Sequence, residues 1–191
     1  MKYMGSKARV AKDISHIINQ IIKENKIEVY IEPFVGGANM IQHIDCPIRI
    51  GYDNNPYLVA FLEAIKCGWN PLKEVQMTKE LYREIRSNPD KYPPHITALA
   101  GFCASYNAKW FGGYAGTVKT KINTYRNYYE EAVRNVLKQA ESLRNIELCV
   151  CVITAKYILQ MHCFIVILHI KGQRVIKTNL IMARIGIGCG K

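Results

Sequence analysis

No uninterrupted apolar segment of this chain approaches ~18 residues, so no membrane span is expected. The nearest is Cys163–Leu168, which is far too short. Seven cysteines (46, 67, 103, 149, 151, 163 and 189) show no zinc spacing, because Cys149-x-Cys151 is too close for a typical C-x-x-C site. An odd cysteine count without a signal-peptide pattern fits reduced thiols and a cytoplasmic protein. The five histidines (16, 43, 95, 162 and 169) are scattered and suggest neither a metal site nor a catalytic triad. No G-x-G-x-x-G is present either. Residues 36–41 run Gly-Gly-Ala-Asn-Met-Ile, which argues against a dinucleotide-dependent oxidoreductase. Internal repeats and low-complexity blocks are also missing.

Charge of one sign is lacking over a long stretch. Residues 152–191 contain no aspartate, glutamate or proline, yet carry six basic residues (Lys156, Lys171, Arg174, Lys177, Arg184, Lys191) and nine isoleucines. Residues 1–151 hold the remaining 20 basic and all 15 acidic residues. The net charge of +11 and pI near 9.3 favour a polyanionic partner, although basic surfaces also serve solubility. With 191 residues, 49% of them hydrophobic, the chain can bury the core of one α/β domain with an insertion.

The most informative stretch is Ile31-Glu-Pro-Phe-Val-Gly-Gly-Ala38 with Gly51-Tyr-Asp53-Asn-Asn-Pro56 after it. An apolar run, Val29–Ile31, feeds an acid and then a glycine turn; a second run, Ile48–Tyr52, ends on a carboxylate. Parallel α/β sheets build nucleoside pockets in this way, with glycines admitting close backbone approach and the second acid receiving ribose hydroxyls. A helix opening at Gly36 and running to His43 would aim free amides at an anionic group. An ordinary strand–helix turn, with Asp53 capping the helix from Pro56, is the bland alternative. Lys7 follows Gly5-Ser6 and could reach a carboxylate or simply face solvent.

Periodicity predicts helices over 9–23 (Val10, Ile14, Ile17, Ile18, Ile21 and Ile22 on one side), 56–66, 78–87, 94–106 and 125–143. Strands are predicted over 29–33, 48–53 and 146–151. The helical pieces between the second and third strands make the simplest layout an α-rich insertion. Within it, residues 107–129 combine Lys109, Lys119, Lys121 and Arg126 with Trp110, Phe111, Tyr114, Tyr125, Tyr128 and Tyr129, and hold no acid. Basic residues track phosphates while aromatic faces stack on unpaired bases or wedge between steps. A basic loop whose aromatics pack inward fits the same residues.

Taken in order, Lys2-Tyr-Met-Gly-Ser-Lys7, Glu32-Pro-Phe-Val-Gly-Gly-Ala38, Asp53-Asn-Asn-Pro56 and Phe102-Cys-Ala-Ser-Tyr-Asn-Ala-Lys-Trp-Phe-Gly-Gly-Tyr114 resemble a Dam-type DNA adenine-N6 methyltransferase. The resemblance spans roughly residues 1–151. It implies an α/β fold: an incomplete Rossmann-like S-adenosylmethionine-dependent methyltransferase sheet with an α-rich target-recognition insertion. Residues 1–69 would be the cofactor part, 70–140 the insertion, and 141–191 the return to the sheet with an aberrant tail. Tyr3 and Lys7 would contact S-adenosylmethionine. Glu32, Pro33, Phe34, Gly36, Gly37 and Ala38 would cradle its amino-acid end, and Asp53 with Asn54 would hold its ribose. Asn107, Lys109, Trp110, Tyr114, Lys119, Lys121 and Arg126 would grip double-stranded DNA while an adenine is flipped from the stack. A monomer without a metal is expected.

The family's chemistry also needs an Asp-Pro-Pro-Tyr turn, whose Asp and proline carbonyl aim the adenine amino group. No such tetrapeptide occurs in the sequence. Residues 164–169 read Phe-Ile-Val-Ile-Leu-His where the family would place it. Re-reading each codon from its third base admits Asp-Pro-Pro-Tyr across Val166 to Ile170, flanked by Tyr-Cys before and Lys-Gly-Thr after. It also admits Asp-Tyr just after Cys151. A reading-frame slip near Val152 is therefore expected, leaving no catalytic residue in this chain and no methyl transfer. A non-catalytic DNA-binding module is the alternative.

Overall fold

The computed structural model describes residues 1–119 and 121–150. Two parallel pairings build a three-stranded sheet in the order β1 (Val29–Glu32), β2 (Ile48–Asp53), β5 (Ile146–Val150). Val29 faces Ile48 and Glu32 faces Gly51, while Arg49 faces Ile146 and Asp53 faces Val150. This register brings the carboxyl ends of β1 and β2 side by side, each closing on an acid. The chain is thus mixed α/β with a small parallel sheet.

Helix α1 (Ala11–Asn25) precedes the sheet and α2 (Pro56–Lys66) follows β2 directly. Helix α2 starts where Asn55 Oδ1 accepts the free amides of Tyr57 and Leu58, with Pro56 needing no donor. Leu58, Val59, Phe61, Leu62 and Ile65 recur every three or four residues and are all buried. Each contributes roughly 1.5–3 kcal/mol by leaving water, which makes α2 the central beam of the core. It packs under β5 and against α5 (Pro94–Ala98). Short α3 (Pro71–Glu74) and α4 (Lys79–Ser87) come between, α4 capped by the Thr78 hydroxyl.

Beyond α5 the chain widens into a buried π-helical turn, Leu99–Cys103, and ends in a 3₁₀ turn at Tyr106–Ala108. The single helix expected over 94–106 is therefore cut short, because Ser105 is extended at φ −110° and ψ 143° and bridges to Tyr114. The helix expected over 125–143 is divided as well. Its first residues pair instead, β3 (Thr117–Lys119) with β4 (Tyr125–Asn127), as an antiparallel hairpin. Asn127 then caps α6 (Tyr128–Leu137), and α7 (Ala140–Leu143) follows after a break at Lys138-Gln139. Every element between β2 and β5 is thus a helix, a helical turn or this hairpin.

Two further expectations need correction. In α1 only Ile18 and Ile22 of the predicted face are fully buried, while Val10 and Ile17 are exposed, so the apolar stripe is narrower than the isoleucines suggest. The helix expected from Gly36 to His43 is a run of turns closed by one 3₁₀ turn, Ile41–His43. Gly36 and Ala38 adopt φ 51° and 55°, values a right-handed helix cannot contain. The tail expected to be frame-slipped, with its apolar run at 163–168, and the final residue of the strand predicted over 146–151 lie outside the described residues.

Candidate functional site

At the carboxyl edge of the sheet, the loop after β1 is stitched to β2 by Val35 N–H donating to Tyr52 O at 2.8 Å. Asp53 is buried, and its two oxygens are each engaged by one backbone donor. Oδ2 accepts from Gly36 N at 2.9 Å and Oδ1 from Asn55 N at 3.0 Å. A carboxylate offers about four acceptor positions, so Asp53 keeps capacity for further hydroxyl donors. It does not cap α2, since Asn55 takes that part. Asp53 instead locks the glycine turn onto the second strand.

The glycines meet the chain's own first residues. A Cβ on Gly36 would lie 3.1 Å from Tyr3 Cε1, and one on Gly37 would lie 3.0 Å from Tyr3 Cβ and 2.9 Å from Asn39 Nδ2. Gly36 also needs its positive φ, so both size and conformation exclude other residues there. Tyr3 stacks on Phe102 with ring centroids 5.5 Å apart. Its hydroxyl is held above the usual phenol range by burial and then by the Asp53 charge. Tyr3, Gly36, Gly37 and Asp53 are therefore brought together, with the glycine face covered by Tyr3.

Glu32 stands at the end of β1 with its Oε2 sealed from solvent and without a hydrogen-bond partner. Burial pushes its carboxyl up to about 8, against the lowering pull of the Ile41 amide and the Tyr30 hydroxyl. At neutral pH it is a protonated acid. Pro33 and Ala38 are buried, whereas Phe34 and Asn54 are exposed beside the turn. The Lys7 amine donates to Gly5 O at 3.3 Å.

The basic and aromatic residues divide by exposure. Trp110 packs on the π-helical turn, where a Cβ on Gly101 would come within 2.4 Å of its ring, and it stacks with Phe102, Tyr57 and Phe111. Tyr114 donates its hydroxyl to Met77 O at 2.9 Å and lies against Tyr82. Tyr114 is half-buried within the loop, whereas Trp110 keeps 38% of its surface exposed. Asn107, Lys109, Lys119 and Lys121 are exposed. Arg126 is exposed but engaged: its Nε and a terminal nitrogen donate to the two Glu131 oxygens, each at 2.6 Å, and its guanidinium lies 4.8 Å from the Tyr128 ring centre.

Sequence reasoning missed three features of this face. Ile122 and Tyr125 are 80% and 74% exposed around the hairpin tip, an apolar pair among lysines. A cleft of about 150 Å³ opens between the first two residues and the insertion, lined by Lys2, Phe102, Ser105, Asn107, Arg126 and Tyr128 among others. The Arg126–Glu131 pair joins residues five apart, a spacing that continuous-helix reasoning does not bring together. The turn-prone Thr-Lys-Ile-Asn-Thr between alternating segments was the available hairpin signal. Among the described residues, no three His, Cys, Asp or Glu side chains form a metal-binding group, and no helix is long and apolar enough to cross a membrane.

A family model described as D12 class N6 adenine-specific DNA methyltransferase matches residues 3–158. No curated protein matches the chain.

Proposed function

This chain belongs to the D12 class N6 adenine-specific DNA methyltransferase family, and we propose that it is built to hold S-adenosylmethionine beside DNA without completing the transfer. The family match over residues 3–158 carries the reading. Three local observations fit the cofactor: the spare acceptor capacity of buried Asp53, the orphaned Glu32 Oε2 and the exposed Phe34 ring in the same turn. Asp53 would receive the ribose hydroxyls, with Asn54 alongside. The Glu32–Ala38 turn, with Tyr3 and Lys7, would hold the amino-acid end. When bound, the cofactor supplies an electrophilic methyl group. This chain's residues contribute binding and orientation.

In this reading the three strands are part of a Rossmann-like sheet and residues 70–140 are the target-recognition insertion. Lys109, Lys119, Lys121 and Asn107 would follow the phosphates of double-stranded DNA. Ile122 and Tyr125 are the exposed apolar groups suited to entering between base steps, and Trp110 and Tyr114 support the loop behind them. The chain contains no Asp-Pro-Pro-Tyr, so nothing described would accept from the adenine amino group and aim its lone pair. Losing such positioned electrostatics removes the largest usual contribution to catalysis. A reading-frame slip near Val152 explains the acid-free segment and agrees with a family match that stops at residue 158.

The test is calorimetric titration with S-adenosylmethionine and, separately, NAD, followed by a labelled-methyl assay on DNA. S-adenosylmethionine should bind, Asp53→Ala should weaken it by about tenfold or more, NAD should not bind, and no label should reach DNA. Robust transfer would overturn the inactivity, and failure to bind S-adenosylmethionine would overturn the whole reading. Salt-dependent DNA binding without cofactor binding would instead support a DNA-binding module. Codons 166–170 of the gene decide the frame slip: they must yield Asp-Pro-Pro-Tyr in the shifted frame.

A further inference from the structure

The glycine turn is an irregular segment held by few backbone bonds of its own. Over residues 36–42 these include Ala38 N–H to Val35 O and His43 N–H to Met40 O, both at 2.9 Å, and Ile44 N–H to Ile41 O at 3.2 Å. Besides the Asp53 clamp on Gly36 N, support arrives from a side chain about a hundred residues away. Gln139, buried at the break between α6 and α7, places Nε2 at 3.0 Å from Gln42 Oε1, 3.2 Å from Asn39 Oδ1 and 3.4 Å from Gly37 O. Its Oε1 accepts from the Met1 amino group. Asn39 continues the network, donating to Met1 O and to Ser6 Oγ, each at 2.8 Å. Buried amides of this kind are costly unless satisfied and rigid when they are.

We propose that Gln139 is a positioning residue: from the far end of the insertion its side-chain amide fixes the conformation of the 36–42 turn, so that cofactor affinity depends on those amide contacts. This rests on the reading of that turn as the S-adenosylmethionine cradle. Three features single out Gln139 from ordinary core packing. It is a buried polar side chain between buried Val136 and Leu143, where the other polar residues, Lys138, Glu141 and Ser142, are exposed. All its donor contacts go to the turn. The turn, with Gly36 and Ala38 in left-handed geometry, has no regular helix to hold it. Helix α6 begins directly after β4 and spans roughly 15 Å by its rise per residue, so it mechanically links the hairpin to the turn.

Gln139→Met keeps the shape and removes both amide functions. Val136→Ala removes packing from the same helix while leaving the amide network intact. S-adenosylmethionine affinity and thermal unfolding are measured on the 191-residue chain and on both variants. The expected result is about a tenfold weaker affinity for Gln139→Met and an unchanged affinity for Val136→Ala, although both melt earlier. Hydrogen exchange on the parent chain supplies a readout independent of variant folding. Adding S-adenosylmethionine should slow exchange across 36–42 and in the Gln139–Leu143 amides together. Equal affinity in Gln139→Met, equal weakening in Val136→Ala, or protection confined to 36–42 would each overturn the proposal. A parent chain that binds no S-adenosylmethionine would overturn the functional reading along with it.

Discussion

Glu32 is the residue whose chemistry departs furthest from its type. Its carboxyl is raised to about 8 from 4.5 because Oε2 loses water and gains no donor. Between those values the folded chain holds a proton that the unfolded chain releases. Glu32 therefore favours folding most below about 4.5, and that contribution is lost as pH rises toward 8. Glu32→Gln should be indifferent to this window. Denaturant unfolding at pH 5 and pH 8 should show the variant gaining stability relative to the parent at the higher pH. Other titrating groups are common to both chains and cancel in that comparison. A difference that stays constant with pH would show that Glu32 ionises freely in the fold.

At the scale of the element, the hairpin β3–β4 and the start of α6 form one charged unit. Arg126 and Glu131 are about half exposed, so their bidentate pair contributes little to stability, ~0–1 kcal/mol for such pairs. Under the proposed function Arg126 faces DNA, and Glu131 would then compete with a phosphate for its guanidinium. Glu131→Gln should bind duplex DNA more tightly and steepen the salt dependence by about one counterion. Filter binding at several salt concentrations measures it, and an unchanged slope would show that Arg126 does not reach the backbone. The hairpin escaped helix-period reasoning because Tyr125-Arg-Asn127 leads straight into an amphipathic helix. Only the pairing of Thr117 with Asn127 reveals that the chain has already reversed.

For the whole molecule, cofactor binding and folding are linked. A ligand that binds only the folded chain at a hundred times its Kd stabilises it by ~2.7 kcal/mol. The sheet edge, the glycine turn and the first residues all meet at Asp53, so S-adenosylmethionine should raise the melting temperature of the parent by several degrees. At the same concentration it should raise that of Asp53→Ala by only about half as much, since a site weakened about tenfold gains ~1.4 kcal/mol. Thermal unfolding with and without the ligand tests this, and an equal rise in both would place binding elsewhere.

The residue order alone determined the acidic strand ends, the glycine pair, the start of α2 and the family to which four ordered motifs point. These are local matters, set by backbone conformation, by side-chain size and by pairs only a few residues apart. Tertiary structure decided which groups are spent and which remain available. Asp53 was readable as a pocket acid, yet only the fold shows it also clamping Gly36. Tyr114 was as eligible as Tyr125 to lie on the surface until its hydroxyl bond to Met77 O drew it in, while Trp110 packs on Gly101 and still stays 38% exposed. Gln139 gave no signal at all. Its partners lie about a hundred residues away, and no periodicity encodes a contact made when the chain returns to its own beginning.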